Sequence, residues 1–317
     1  AAIMSLRFSI EVIPIYSEYE RNSEVALNAF VMPLVKEYVT SLEHELNSIG
    51  IKAPLYIMQS NGGMTTPENA MARPIEIIEC GPAAGVVGAA RVSGHSDSSL
   101  ITFDMGGTTA KASIVEEGQV SHAREYEVGG GLNRASRLLK GSGYVVRVAS
   151  IDIAEIGAGG GSILKIDAGG GVAIGPESAG ANPGPACYGL GGILPTIADA
   201  DLVLGYINPK HLCGGTYPLN SGEAEKALAS DIAPALGLDI IEAAYGIYQL
   251  ANARMMRAIK SVSSERGRDP RKFSLHAFGG AGPVHAAGVA KGLGMNCIVI
   301  PPAPGVFSAF GLLTGNI

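Results

Sequence analysis

The stretch KFSLHAFGGAGPVHAAGVAKGLGMNCIVIPP, residues 272–302, constrains the fold more than any other part of the chain. An apolar run of strand length meets a glycine turn, a small-residue segment of helical spacing follows, and a second apolar run closes the unit. Strand, glycine loop, helix, strand is the grammar of an α/β fold. The same alternation recurs upstream. In LITFDMGGTTAKASIVEEG, residues 100–118, two apolar runs flank an aspartate and two glycines. Residues 223–236 and 240–262 read as amphipathic helices, the second carrying Arg254, Arg257 and Lys260 toward its C-terminal, dipole-negative end.

The first third follows suit. In residues 22–52, Val25, Leu27, Phe30, Val31, Leu34, Tyr38, Leu42 and Leu46 recur at helical intervals. Asn22 or Ser23 is the expected N-cap, Gly50 the expected stop, and Pro33 a predicted kink or break. PLYIMQS reads as a short buried strand ending in the turn Asn61–Gly62–Gly63, and ECGPAAGVVGAARV as a helix with Pro82 in its first turn. The alanine and glycine face of that helix would admit another backbone at close range.

Glycine is the compositional anomaly, with 44 residues in 317, about twice average usage. Residues 156–192 are densest in it, but interleaved Ile, Leu, Val, Cys and Tyr argue for an ordered, turn-rich insertion rather than a linker. Between Val128 and Ile151 Arg134, Arg137, Lys140 and Arg147 stand without an acidic neighbour, which reads as a basic loop, more readily a solvated face than an anion site. A formal charge of −6 argues against nucleic-acid and anionic-membrane partners. The four cysteines are far apart, with no C-x-x-C pair, as expected of reduced thiols in a cytoplasmic protein. No stretch has the roughly 18 consecutive apolar residues of a membrane helix.

Asp104, Gly106, Gly107, Thr108 and Thr109 have the makings of a phosphate turn. Glycine reaches positive φ without steric cost, so consecutive backbone N–H groups can converge on an anion, with threonine hydroxyls as extra donors. A carboxylate beside a polyphosphate is a natural partner for Mg²⁺. A plain structural hairpin would use the same letters. The second turn, FGGAGP, offers Gly279, Gly280 and Gly282 at a helix start, where a backbone can pass close to a flat ligand. Together the two turns resemble the phosphate and adenosine loops of the actin, Hsp70 and sugar-kinase fold, which implies a ribonuclease-H-like lobe and two corners facing each other across a nucleotide gap.

A narrower resemblance rests on YSEYERNS, MQSNGG, ECGPAAGVVGAA, FDMGGTTAK, SIDIAEIGAGGGSI, GPESAGANPGPACYGLGG, TIADADLVLGYI, SSERGRDPRKFSLHAFGGAGPVHA and PPAPGVFSAFGLLT. In this order they resemble the central segment of the hydantoinase A and 5-oxoprolinase family, which includes subunits of acetone and acetophenone carboxylases. The resemblance implies an ATP-dependent hydrolase of cyclic amides such as hydantoins or 5-oxoproline, activating the carbonyl by phosphorylation. Ketone carboxylation is the rival activity, and an actin-like nucleotide switch the rival class. It further implies ATP and Mg²⁺, a cyclic-amide substrate, a hydantoinase B-type partner subunit and an oligomer. Carried onto this sequence, Asp104 is the metal-associated carboxylate, Gly106 to Thr109 hold phosphate, and Gly279, Gly280 and Gly282 line the adenosine side.

Lys111 departs from the family pattern, where many members carry an aspartate; its ammonium would neutralise phosphate charge or point to solvent. Relatives also carry an upstream D-x-G-G-T-F-T-D hairpin that nothing in residues 1–99 resembles. The chain therefore reads as one central domain of a longer protein: a lead-in over 1–98, the phosphate hairpin over 99–128, the basic loop and insertion over 129–220, and the adenosine-loop unit over 221–317. An isolated piece of this kind is expected to be inactive. Of the remaining polar residues, His276 reads as a core histidine, His285 as core or ligand, Asp152 and Glu155 as site or turn residues, Asp199 and Asp201 as a helix-start pair, and Cys187 as unactivated.

Overall fold

The computed structural model describes residues 12, 16, 18–93, 99–123, 125–128, 132–133, 144–210, 212 and 215–315. Arg134, Arg137, Lys140 and Cys213 lie outside these residues. The chain forms two compact units, one of residues 1–91, 119–153 and 308–317, the other of residues 92–118 and 154–307. The architecture is mixed α/β.

The first unit is organised around helix α1, Glu18–Ser48, which starts before the expected cap and places Glu18 and Glu20 at its dipole-positive end. Pro33 does not break it: the helix runs unbroken through that residue, which is exposed. The apolar stripe is not the buried face either. Phe30, Leu34 and Tyr38 are exposed, while Glu24, Asn28, Met32 and Val39 turn inward. Two of those four are polar, and each earns its burial by hydrogen bonding. The Asn28 amide donates to the carbonyl of Ala72 at 3.2 Å and accepts from the N–H of Ile75 at 3.3 Å. Glu24 accepts from the N–H of Arg147 at 2.6 Å, and burial pushes its carboxyl up despite that bond.

Arg147, expected in a solvated loop, is instead ion-paired to Glu20 at 3.2 Å and Glu125 at 3.1 Å. Strands β1 (Ile57–Met58) and β2 (Met64–Thr65) form a small antiparallel hairpin, closed by Asn61 accepting from the N–H of Gly63 at 2.8 Å. Thr66 caps the short helix α2, Pro67–Ala72. Helix α3, Cys80–Val92, follows. Its small residues do admit a second backbone: a Cβ on Gly311 would collide with the Ala84 carbonyl.

The second unit is built on strands β3 (Leu100–Met105), β4 (Ala110–Glu116), β5 (Ile153–Ile156), β8 (Ser274–Phe278) and β9 (Ile298–Val299). They lie in the order β9-β8-β3-β4-β5. The β3–β4 pair is antiparallel, while β8 runs parallel to both β3 and β9. Between β5 and β8 come the antiparallel hairpin of β6 (Ser162–Ile166) and β7 (Val172–Ser178) and helices α4 (Ile197–Val203), α5 (Ser221–Leu236) and α6 (Ile240–Val262). The insertion is thus ordered, and Gly170, Gly175, Gly180, Gly184, Gly189 and Gly191 take up positive φ within it. An Asp239–Glu242 capping box starts α6, and α7 (Gly282–Leu293) joins β8 to β9.

The core of this unit packs Phe103, Ile114, Ile247, Met255, Leu275 and Val289 from both sheet and helices. Complete burial of each such side chain is worth about 2 kcal/mol. That core fixes the C-terminal end of β3, and the site is built there.

Candidate functional site

β3 carries Asp104 to its end, and the antiparallel register sets Lys111 directly opposite on β4. On the other flank Phe278 of β8 is the register partner of Asp104. Residues 106–109 make the turn, closed by the N–H of Gly106 donating to the carbonyl of Thr109 at 3.1 Å. Gly106 and Gly107 do not use positive φ, contrary to expectation, and a Cβ on either would meet nothing within 4 Å. The fold itself does not require glycine at these two positions. What glycine leaves there is room for close approach from outside.

The segment after β5 explains how the turn is oriented. Gly160 donates to the carbonyl of Gly106 at 3.0 Å, and Gly161 to that of Gly107 at 2.6 Å. In a planar trans peptide the carbonyl and the following N–H point in opposite directions. Both carbonyls being held on the inner side, the N–H groups of Gly107 and Thr108 face the other way. No hydrogen bond among the described residues uses either of them, and both residues are exposed. Two outward N–H groups on adjacent residues are donors available to a group outside the chain. Gly159 makes the backing possible, since a Cβ there would lie 2.5 Å from the Thr108 nitrogen.

The second glycine corner abuts the first. Ala281 donates to the carbonyl of Met105 at 2.9 Å, and Gly279 to that of Pro304 at 2.9 Å. Gly279 has φ +82°, and a Cβ on it would come within 2.5 Å of Asp104 Oδ1. Here glycine is required by the chain itself. Gly280 is exposed and open, whereas Gly282 is buried at the start of α7. The expected gap between the corners is therefore absent: they are hydrogen-bonded neighbours at the C-terminal ends of the adjacent strands β3 and β8.

Burial raises the pKa of Asp104, and the Lys111 ammonium pulls it back. Among the described residues none donates a hydrogen bond to its carboxylate. Lys111 Nζ lies 2.9 Å from Glu155 Oε1 on β5 and donates to Thr109 Oγ1 at 2.9 Å. The lysine therefore points to the turn rather than to solvent. No group of three or more His, Cys, Asp or Glu side chains that could hold a metal occurs among the described residues. The single Asp104 carboxylate beside the turn would fit a Mg²⁺ that takes most of its ligands from outside the chain.

The remaining candidates lie away from the turn, in contacts within the chain. His285 is buried, with Nδ1 2.8 Å from Asn252 Oδ1 and Nε2 3.1 Å from Asp201 Oδ2, and it stacks on Tyr248. His276 is a core histidine of β8. Asp199 accepts from the N–H of Cys187 at 2.7 Å and from the N–H and hydroxyl of Thr196 at 2.9 and 2.7 Å. Burial, reinforced by Asp199, drives the Cys187 thiol far above its ordinary range, the opposite of the shift that activates a thiolate. Asp152 is buried, its N–H bonded to Ser121. Sequence reasoning weighed Glu155 as a site or turn residue without its Lys111 partner, and it missed the backing by Gly159–Gly161. The visible signal was an acidic residue directly ahead of the run IGAGGGS.

The site of this mixed α/β protein is therefore a β-hairpin turn with outward amides, one carboxylate and one ammonium. The sequence model of hydantoinase/oxoprolinase matches residues 21–317, and the chain belongs to that family. It is 48% identical over 309 residues to an uncharacterised protein of Methanocaldococcus jannaschii, covering 97% of this chain and 45% of that one. The crystal structure of the ATP-dependent caprolactamase from Pseudomonas jessenii aligns with a TM-score of 0.74 at 36% identity, over 96% of this chain and 42% of that one. A nucleotide-free acetone carboxylase structure aligns with a TM-score of 0.83 at 27% identity, over 96% and 41%. The chain spans less than half the length of these relatives.

Proposed function

We propose that the turn from Asp104 to Thr109 binds the phosphate tail of ATP in an enzyme that hydrolyses cyclic amides of the hydantoin, 5-oxoproline or lactam type. The observation that carries this reading is the pair of outward, unpaired N–H groups at Gly107 and Thr108, fixed by the bonds their neighbouring carbonyls make to Gly160 and Gly161. Family membership and the ATP-dependent caprolactamase likeness support it. In this reading the unit is a lobe of the actin and sugar-kinase type, and the Gly279–Gly282 corner takes the adenosine side. Asp104 would hold Mg²⁺, which lowers the charge on the phosphates.

The chemistry needs the amide oxygen in line with the γ-phosphorus. That oxygen forms the new P–O bond as the bond to ADP breaks. Water then adds to the activated carbon, the ring C–N bond opens with a proton passing to nitrogen to leave an acyl phosphate, and a second water releases the carboxylate and free phosphate. The outward amides, Thr108 and Lys111 stabilise the charge on the transferring group, which an unactivated carbonyl would otherwise leave in water. A separate B-type subunit is the proposed partner for the later steps.

Ketone carboxylation is the second reading, favoured by the acetone carboxylase likeness. Phosphate release by the full-length gene product decides between them. Release that depends on hydantoin, 5-oxoproline or caprolactam supports the amide reading. Release that depends on a ketone and bicarbonate overturns it, and steady turnover without either substrate identifies a nucleotide switch.

A further inference from the structure

The Lys111–Glu155 pair is placed unlike an ordinary surface bridge. Its side chains are 20% and 14% exposed, so water screens it weakly, and Lys111 Nζ also holds a hydroxyl of the turn itself, Thr109 Oγ1. The ammonium therefore stands at the phosphate turn with one carboxylate in contact and a second, Asp104, on the neighbouring strand. An incoming polyphosphate presents oxygens to the same donor. Glu155 and phosphate then compete for one cation.

We infer that Glu155 is a positioning residue that holds Lys111 at the mouth of the turn and is displaced from it by the nucleotide's phosphates. This rests on the phosphate reading of the turn. The displaced carboxylate remains close to a polyanion, and like charges a few ångströms apart in a partly buried site repel. Glu155 thus sets the affinity of the turn as well as the place of its cation. The arrangement keeps the lysine ordered when the turn is empty, and it weakens nucleotide binding so that products can leave.

The signs of two substitutions test this. A pair that only braces the strands gives the same result whichever end is cut. A competitor pair gives opposite results. In the full-length gene product, Mg²⁺·ATP binding measured by calorimetry should tighten about three- to tenfold for Glu155→Gln, which keeps one hydrogen-bond acceptor for Nζ while removing the charge. Lys111→Met should weaken it about tenfold, and the double variant should match Lys111→Met. The gain from Glu155→Gln should shrink in high salt.

If both single variants weaken binding alike, or Glu155→Gln leaves it unchanged, the pair is a brace and the role of Glu155 is overturned while the turn keeps its ligand. If the wild-type protein binds no nucleotide, the phosphate reading fails and this inference falls with it. Circular dichroism and melting of each variant separate a lost fold from a lost contact.

Discussion

Asp199 and Asp104 both carry a carboxylate out of water in the same unit, yet Asp199 accepts three hydrogen bonds from Cys187 and Thr196 while Asp104 accepts none among the described residues. The first is consumed by the fold: it ties the loop before α4 to that helix's first turn. The second is left with a raised pKa and a neighbouring ammonium. In the proposed reading, a carboxylate the fold leaves without a donor is one kept for a ligand outside the chain. The glycines divide along the same line. Gly159 and Gly279 are required by contacts within the protein, whereas Gly106 and Gly107 face open space.

The sharpest way to break this comparison is to add one methyl group to each kind of glycine. At Gly159 the Cβ would sit 2.5 and 2.6 Å from backbone atoms of Thr108 and Gly107, which have no side-chain freedom to yield. Gly159→Ala should cost about 3 kcal/mol in a denaturant titration, at the upper end for overpacking. Gly107→Ala should stay within about 0.5 kcal/mol of wild type, as for an unstrained exposed site, yet lose most Mg²⁺·ATP binding. Equal destabilisation by the two, or full binding by Gly107→Ala, would remove the distinction.

The second test takes the carboxylate the fold consumes. Asp199→Asn turns one acceptor oxygen into a donor, so either the Cys187 amide or the Thr196 pair is left facing an N–H. The cost should be about 2 kcal/mol, the penalty for a buried group left unsatisfied, seen as a lower denaturation midpoint. Nucleotide affinity should not change at temperatures where the variant is folded. A loss of affinity larger than the loss of stability would place Asp199 in the site after all.

The legible parts of the molecule are those whose cause is local. The strand–glycine–helix–strand unit ending at Val299, and α6 with its Asp239 cap, follow from periodicity, turn residues and capping within a few residues. The hairpin over residues 100–118 also follows from two apolar runs about a glycine turn, although its Asp104–Lys111 register came only from the structure. The buried face of α1 does not, because Glu24 and Asn28 go inward to reach Arg147 and Ile75, over a hundred and over forty residues away in sequence. Glu155 was weighed as a site or turn residue without its partner, since a cross-strand ion pair leaves no periodic trace. Nor does the sequence tell a glycine chosen for its φ from one chosen for the space it leaves. Gly279 is of the first kind and Gly107 of the second, although both stand in similar letters.

The smallest effect concerns Asp104 itself, and its sign is informative. The carboxyl is held above its ordinary value of 3.8, chiefly by burial. Between that value and the raised one, the folded chain binds more protons than the unfolded chain, so stability falls as pH rises through the window. Above it the ionised carboxylate is a standing cost of the empty site. Asp104→Asn removes the slope, and melting curves from acid to neutral pH should show the variant gaining about 0.5–2 kcal/mol over wild type at the neutral end with little difference at the acid end. Saturating Mg²⁺·ATP should reverse the order, because only the native carboxylate gains a cation. A variant that is less stable than wild type at neutral pH would mean that Asp104 is already satisfied within the chain, as Asp199 is, and the two carboxylates would no longer differ in kind.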